Sequence, residues 1–277
     1  MLDRILRLTK AELYKLSRQK FSFLLVLFVI FNAVLVGIGS RIFPAIMSAM
    51  GGGGGALFDG YTFASVIETG TFSSAGAGTI AMLAFSGSMV ASETDSGTIK
   101  NILVRPIRRH EFILAKALAL FIYCLLLVVL MTALSMAAGA LIYGMGDISI
   151  AETGEVFRTR GEMLRNMCIS STMDIFSIYA VACLGLLVSV MIKNSGWAVI
   201  TALVLYFPIM FLKNFEVFSP WVFTAYMDLG QNILREMVVV KSRTWLPELY
   251  TFFAVNIATV FVFLAASILI FSKKEIH

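Results

Sequence analysis

Long uncharged apolar runs alternate with short polar segments along the chain, and this alternation predicts a polytopic membrane protein. A bilayer core of roughly 30 Å needs about 20 apolar residues in each helix that crosses it. The chain contains six apolar runs that approach or exceed this length, and each predicts one membrane span. They are residues 21–38, 72–92, 112–143, 175–192, 196–212 and 249–271.

The polar segments complete the predicted layout of a single transmembrane domain over residues 1–277. Residues 39–71, 144–172 and 213–247 are predicted outer loops, while 93–116 is a predicted inner loop. Within the last outer loop, amphipathic stretches at 215–223 and 231–240 predict short helices or re-entrant segments at the outer interface.

The first 20 residues predict an amphipathic helix on the inner membrane surface. At 100° per residue, its apolar positions fall within one arc of about 100° and its basic positions lie opposite. Such a helix buries its apolar face among the headgroups and attracts anionic lipid. The apolar positions are Leu2, Ile5, Leu6, Leu13 and Leu16, and the basic positions are Arg4, Arg7, Lys15 and Arg18.

Composition and charge agree with a membrane location. The chain is 59% hydrophobic and only 14% charged, which is not the composition of a soluble domain. Most of its 22 Lys and Arg residues lie in the predicted inner segments, so the net charge of +5 predicts topology rather than nucleic-acid binding. We therefore expect a plasma-membrane protein with both termini cytoplasmic. Three scattered Cys and two His predict neither a disulfide framework nor a metal site.

The inner loop at 93–116 carries its own pattern. Residues 93–104 predict a short helix that Ser92 or Thr94 can cap, with one apolar face formed by Ile99, Ile102 and Leu103. Pro106 ends that helix, because the residue before proline is pushed out of the α region. Lys116 is expected to extend from the next span to the interface. A short amphipathic helix beneath the membrane is typical of a docking surface.

The loop carries Glu93, Gly97 and Thr98, then Ile102, Leu103, Pro106 and Arg109, and finally Ile113, Leu114 and Lys116. With this spacing it resembles the loop between the second and third spans of ABC-2 type transporter permeases. The resemblance covers about 24 residues. It implies an all-α integral membrane protein with six transmembrane helices, an N-terminal amphipathic interfacial helix and a cytoplasmic coupling helix. In that family a separate ATP-binding subunit binds this loop, which couples ATP hydrolysis to transport. The coupling residues that the resemblance implies are Glu93, Gly97, Thr98, Ile102, Leu103, Pro106, Arg109 and Lys116, and the apolar face adds Ile99 to them.

Two predicted spans are candidates for a substrate path. The second contains pairs of small residues four apart, which let helix backbones approach closely. The fifth contains Pro208, which predicts a kink. The resemblance points to the same two helices, although their aromatic residues could instead pack or face lipid. The candidate path residues are Phe85, Ser88, Met89, Tyr206, Phe207 and Pro208.

The resemblance implies the permease subunit of an ATP-driven exporter, paired with a second permease copy or paralogue and with ATPase subunits. The chain carries no GxxxxGK[ST] motif, so ATP and Mg²⁺ are expected on the partner and no cofactor on this chain. No charge lies in the interior of a predicted span, so we expect an amphipathic or lipophilic substrate such as an antimicrobial peptide, drug or lipid-like molecule. The alternatives are an ion-coupled secondary carrier or a membrane-embedded enzyme, and both normally need ionisable groups at membrane depth.

Overall fold

A computed structural model describes residues 2–49, 74–98, 108–144, 148–149, 156–230 and 246–273. These ranges contain eight α-helices, which we number in chain order. They are α1 (Leu2–Ser17), α2 (Lys20–Ala49), α3 (Thr79–Met89), α4 (Ala91–Asp95), α5 (Arg109–Tyr143), α6 (Arg160–Met191), α7 (Ser195–Leu212) and α8 (Leu246–Lys273).

Smaller elements connect or precede these helices. A π-helical segment, Ser74–Gly78, leads directly into α3, and two short 3-10 helices follow α7 at Ser219–Trp221 and Phe223–Tyr226. Strands β1 (Ile148–Ser149) and β2 (Val156–Arg158) pair in antiparallel fashion. The expectation of a helical fold is confirmed, with this strand pair as its one departure within the described ranges.

By length and composition, five helices in the described ranges could cross a membrane. The predicted class, a helical protein with several membrane spans, is therefore confirmed. The predicted spans at 112–143, 196–212 and 249–271 agree with α5, α7 and α8 to within a few residues. The candidate spans are Ser22–Gly39, Arg109–Ile142, Gly161–Met191, Ser195–Leu212 and Glu248–Lys273.

Two predicted loops are partly helical. Helix α2 continues to Ala49, into the predicted outer loop at 39–71. Helix α6 begins at Arg160, so the loop predicted over 144–172 is wrong in its second half. The reason is a capping box, in which the Thr159 hydroxyl accepts from the Glu162 backbone and the Glu162 carboxylate accepts from the Thr159 backbone. The two bonds satisfy backbone N–H groups at the start of α6. The hydropathy pattern did not predict this start, because charged residues surround it.

The predicted second span, 72–92, is helical but interrupted at Val90, where α3 gives way to α4. The Ser189 hydroxyl of α6 accepts hydrogen bonds from the backbone N–H groups of Val90 (2.8 Å) and Ala91 (2.9 Å). A side chain that takes donors from the helical hydrogen-bond ladder is a recognised cause of a helix break.

The helix predicted to begin at 93 is also interrupted. Ser92 and Thr94 lie inside α4 rather than capping a helix start, and α4 ends at Asp95. Gly97 follows with a φ of 69°, a left-handed conformation that favours glycine. Residue 98 is again helical, but residues 99–104 lie outside the described ranges.

Helix α6 lies at the centre of the bundle. Within its candidate span 78% is buried, compared with 17% for α7, and it packs against α3, α5, α7 and α8. Glycines on both helices allow close packing. A Cβ at Gly185 of α6 would lie 2.9 Å from the Leu83 carbonyl oxygen of α3, and one at Gly87 of α3 would lie 3.4 Å from the Cβ of Ala202 in α7. The tight packing expected of the second span is therefore confirmed.

The bundle has two distinguishable ends. We call one the α1 end: it holds α1, α4, the start of α5 and the end of α8. The opposite end, which we call the hairpin end, holds the β1–β2 pair, the start of α6 and the 3-10 helices after α7. The C-terminal end of α8 lies at the α1 end, because the Arg109 guanidinium at the start of α5 donates to the carbonyl oxygens of Phe271 (3.3 Å) and Ser272 (2.9 Å).

Candidate functional site

A buried ionic network joins three helices at the α1 end. The Lys116 ammonium of α5 lies 2.8 Å from the Glu93 carboxylate of α4 and 3.0 Å from the Glu12 carboxylate of α1. Lys15 of α1 also pairs with Glu93. We call these four residues, Glu12, Lys15, Glu93 and Lys116, the ionic network. It binds the N-terminal helix to both segments that border the predicted coupling loop.

The burial of this network is unusual for charged groups. The side chain of Lys116 is fully buried and that of Glu93 is 3% exposed. The expectation that Lys116 extends to the interface is therefore wrong. The Lys116 ammonium instead lies between two carboxylates and 4.8 Å from the centre of the Phe112 ring. A buried charge is tolerated when a partner of opposite sign and hydrogen bonds compensate it.

Two further contacts hold α1 along α5. The Glu111 carboxylate lies 3.9 Å from the Arg4 guanidinium and also accepts from the Arg108 backbone N–H. The Thr9 hydroxyl is buried and lies 3.5 Å from the Ala115 carbonyl oxygen. The apolar face of α1 contributes Leu16 to the main core, together with Leu13 at its edge. Helix α1 is thus packed on the bundle by both apolar and ionic contacts.

The structure brings some of the predicted coupling residues together. Glu93 and Lys116 are in direct contact, and Arg109 lies at the end of α8. Gly97 and Thr98 are exposed beyond α4, where the Thr98 hydroxyl lies 3.3 Å from the Glu93 carbonyl oxygen. The remaining predicted coupling residues, Ile99, Ile102, Leu103 and Pro106, lie outside the described ranges.

The predicted path residues divide between two packing regions. Phe85 and Met89 of α3 belong to the largest core cluster, and the ring centroids of Phe85 and Tyr123 are 5.1 Å apart. Tyr206 of α7 belongs to a second cluster, which also includes Leu83 of α3. Ser88 is half-buried. Phe207 and Pro208 are exposed on the outside of α7, so these two do not share a surface with Phe85.

A second group of buried polar residues lies on α6 and α8, towards the hairpin end. Ser170, Asp174 and Ser177 recur at i, i+4 and i+7 and therefore share one face of α6. On α8, Asn256 is 1% exposed. We call Ser170, Asp174, Ser177 and Asn256 the polar cluster. Its Asp174 is 1% exposed inside the candidate span Gly161–Met191, so the expectation that no charge lies inside a span is wrong.

Sequence reasoning missed the polar cluster because it began the fourth span one residue after Asp174. The sequence does contain a signal that could have found it, since Thr159-x-x-Glu162 is a capping-box pattern before the apolar run. Starting the helix there would have placed Asp174 near its middle. The partners Glu12 and Lys15 in the ionic network had no comparable signal, because they are far from Glu93 and Lys116 in sequence.

These features define a polytopic helical membrane protein whose N-terminal helix is tied to the bundle by buried ion pairs. Residues 58–277 match the model of a family described as "Protein of unknown function (DUF2705)". The match covers most of the chain, so the chain belongs to this family. It matches no curated protein. Within the described residues, no group of three or more His, Cys, Asp or Glu side chains could hold a metal ion.

Proposed function

We propose that this chain is the permease subunit of an ATP-binding cassette exporter and moves an amphipathic or lipophilic substrate outward. A separate subunit would bind and hydrolyse ATP. The observation that supports this proposal best is the ionic network at the base of the 93–116 loop. A docking loop transmits force only if its two attachment points are held rigidly, and Glu93 and Lys116 are held to each other at 2.8 Å.

The resemblance to ABC-2 permeases also implies six spans, and the segment before the loop supports a sixth. From Ser74 to Asp95 the π-helical segment, α3 and α4 follow one another with a single interruption at Val90. At 1.5 Å per residue this length corresponds to about 33 Å, which is enough to cross a bilayer core. With this segment counted, an even number of spans would return both termini to the cytoplasm.

The proposed transport path requires a second permease copy or paralogue. The buried faces of α3 and α6 leave little room within one chain, while α7 and α8 present broad apolar faces outward. In a bilayer these faces contact lipid or another subunit. Because Phe207 and Pro208 lie on the outward face of α7, they would contact the substrate at a boundary with lipid or with the second copy.

The proposal predicts that changing Ile102 and Leu103 to Ser weakens ATPase binding. Truncating apolar anchors at an interface centre commonly costs 2 kcal/mol or more. We therefore expect at least a roughly tenfold loss of the ATPase that co-purifies with the tagged protein. The partner tested would be an ATP-binding cassette ATPase encoded beside this gene, with substrate-stimulated hydrolysis as the second measurement.

Val217→Ser is the matched control, because this apolar side chain is 77% exposed and lies at the hairpin end. It should leave ATPase binding unchanged. Wild-type stoichiometry together with normal stimulated hydrolysis in the Ile102→Ser, Leu103→Ser variant would disprove docking through this loop.

The polar cluster favours a second candidate function, an ion-coupled secondary carrier. An ionisable residue buried within a span is a common feature of coupling-ion sites. This candidate predicts uptake or efflux driven by an ion gradient in vesicles that contain no ATPase. Transport that requires both ATP and the partner subunit would favour the exporter instead.

A further inference from the structure

Helix α1 has one side packed on the bundle and an opposite side that is exposed and basic. Thr9 and Leu16 are 3% and 2% exposed, and Glu12 on the same side joins the buried ionic network. At 100° per residue, Arg7 and Lys10 lie on the other side, and both are exposed. The packed side is used within the chain, so the outward side is the one that can meet a partner.

The carboxylates near α1 are used inside the bundle. The side chains of Glu12, Glu93 and Glu111 are 12%, 3% and 2% exposed, and each lies beside a cation. In the described part of the chain, no acidic side chain forms an ion pair with Arg7 or Lys10.

The outward side of α1 is therefore positively charged. It carries three cations without an ion pair in the described structure, Arg7, Lys10 and Arg18, against one exposed acid, Asp3, which leaves a net charge of +2. An exposed group of like charges attracts a partner of opposite charge.

Chain connectivity places this side of α1 at the membrane boundary. Helix α2 begins at Lys20, and its candidate span begins at Ser22. Phe23, which is 71% exposed, already belongs to that span. Arg18 is therefore only five residues from an apolar side chain that a bilayer would cover.

Helix α5 indicates the same level. Its 35 residues correspond to about 52 Å, which exceeds a bilayer core of roughly 30 Å. Its charged residues, Arg109, Glu111 and Lys116, all lie in its first eight positions, so this end extends beyond the core. The polar contacts of α1 with α5 fall between Glu111 and Lys116, a stretch of about 8 Å. Helix α1 thus lies at the level of the lipid headgroups.

An aromatic side chain on the outward side favours lipid as the partner. Tyr14 is 66% exposed, and the guanidinium carbon of Arg18 lies 5.6 Å from the centre of its ring. Tyrosine is enriched where a membrane meets water, because its ring is apolar and its hydroxyl is polar. An acidic protein would also attract these cations, but it would not account for their place beside the start of a span.

We propose that the outward side of α1 binds the headgroups of anionic phospholipids in the membrane that the protein spans. We call Arg7, Lys10, Tyr14 and Arg18 the headgroup surface. Its cations donate to phosphate oxygens, as basic clusters at a membrane boundary commonly do. Lipid bound there holds α1 against the ionic network. The proposal needs no ATPase partner, so it can fail or succeed independently of the exporter function.

The test is thermal unfolding of the full-length protein in detergent micelles with added phosphatidylcholine or, at the same total lipid, phosphatidylglycerol. A ligand that binds only the folded state raises the unfolding temperature. At about a tenfold excess over the dissociation constant, we expect phosphatidylglycerol to raise it by about 3–6 °C relative to phosphatidylcholine. Raising NaCl from about 50 mM to about 500 mM should remove at least half of this rise, because salt screens exposed charges.

The Arg7→Gln, Lys10→Gln double variant should lose at least half of the rise. Both side chains are exposed, so the fold should be kept. The matched control is the Lys193→Gln, Lys273→Gln double variant, which removes the same charge from two exposed lysines at the α1 end that do not belong to α1. This control should retain the full rise. Each variant is compared with itself in the two lipids, so a change in its basal stability cancels.

Four results would overturn the proposal. Equal unfolding temperatures in the two lipids would show that the surface does not bind anionic headgroups. An equal loss in both double variants would make the effect one of net charge rather than of this surface. The same rise with glycerol 3-phosphate would assign the surface to a soluble phosphate. A rise that persists in full at high salt would assign it to contacts with acyl chains.

Discussion

The two buried polar regions of this bundle differ in how their polar side chains are paired. At the α1 end, the ionic network pairs two ammonium groups with two carboxylates, so its formal charges balance within the chain. Towards the hairpin end, the polar cluster contains three buried oxygens without hydrogen-bond partners in the described structure. The ionic network also contains one such atom, the second carboxylate oxygen of Glu93, so the two regions differ in the pairing of charges rather than in complete satisfaction.

This difference predicts how strongly substitutions in each region affect stability. Buried ion pairs give specific geometry, and removing one member is far more costly than the pair is stabilising. Buried polar atoms without partners carry a free-energy penalty that a ligand can remove. We therefore expect removal of one charge from the ionic network to destabilise the fold more than removal of one hydroxyl from the polar cluster.

The largest expected effect is that of Lys116→Met. This change leaves Glu93 and Glu12 without their shared buried cation, and breaking a buried pair in this way typically costs 3–5 kcal/mol. We expect a sharp fall in the yield and unfolding temperature of the detergent-purified protein. Adding Glu93→Gln to the same chain should recover part of the loss, because it removes one uncompensated charge.

Lys15→Met is the control for this prediction. Lys15 pairs with the same Glu93 carboxylate, but its side chain is 39% exposed, so its loss should cost no more than about 1 kcal/mol. If Lys15→Met and Lys116→Met lowered the unfolding temperature equally, burial would not be what makes this network stabilising.

A second pair of changes compares the packing between α3 and α6 with the packing of Gly230 against the polar cluster. An Ala at Gly185 would contact backbone atoms that cannot move easily, 2.9 Å from the Leu83 carbonyl oxygen and 3.1 Å from the Gly87 nitrogen. Overpacking of this kind costs about 1–3 kcal/mol. We expect Gly230→Ala to cost less, because its shortest contact, 3.0 Å, is with the Ser170 hydroxyl, which can rotate.

Unfolding temperatures measured side by side would check this order. Gly161→Ala is the control, since a Cβ on this glycine of α6 meets nothing within 4 Å. It should be neutral or stabilising by up to about 1 kcal/mol, because alanine is the better helix former. A greater loss in Gly230→Ala than in Gly185→Ala would show that the packing around Gly230 is more rigid than that between α3 and α6.

The smallest expected effect is that of Arg109→Gln. The guanidinium interacts with the carbonyl oxygens that end α8, and a cation at a helix C-terminus is worth about 0.3–1 kcal/mol. Arg108→Gln is the neighbouring control, because the structure assigns a hydrogen bond to its backbone but none to its exposed side chain. Equal unfolding temperatures for the two variants would contradict a capping role for Arg109.

Much of the fold could be predicted because apolar run length is a direct physical requirement of a bilayer. Helices α5, α7 and α8 follow that rule closely. Helix α6 did not, because its first turns carry charges and its start depends on a local bond between Thr159 and Glu162. The break at Val90 could not be predicted either, since it is produced by the hydroxyl of Ser189, a residue 99 positions away.

The candidate site was predictable only in part for the same reason. Glu93 and Lys116 were identified from a sequence resemblance, and they do meet in the structure. Their burial and their partners on α1 depend on how the N-terminal helix packs on α5, which a one-dimensional pattern does not encode. The coupling role of the loop and the path role of Phe85 and Tyr206 stay predictions.

The break between α3 and α4 has a mechanical consequence. One hydroxyl, that of Ser189, holds the first two N–H groups after the break, and Ser189 lies two residues before the end of the central helix. The start of helix α4 is therefore attached to α6 through the Ser189 hydroxyl. A displacement of α4 along its own axis must either carry the end of α6 with it or break two hydrogen bonds at once.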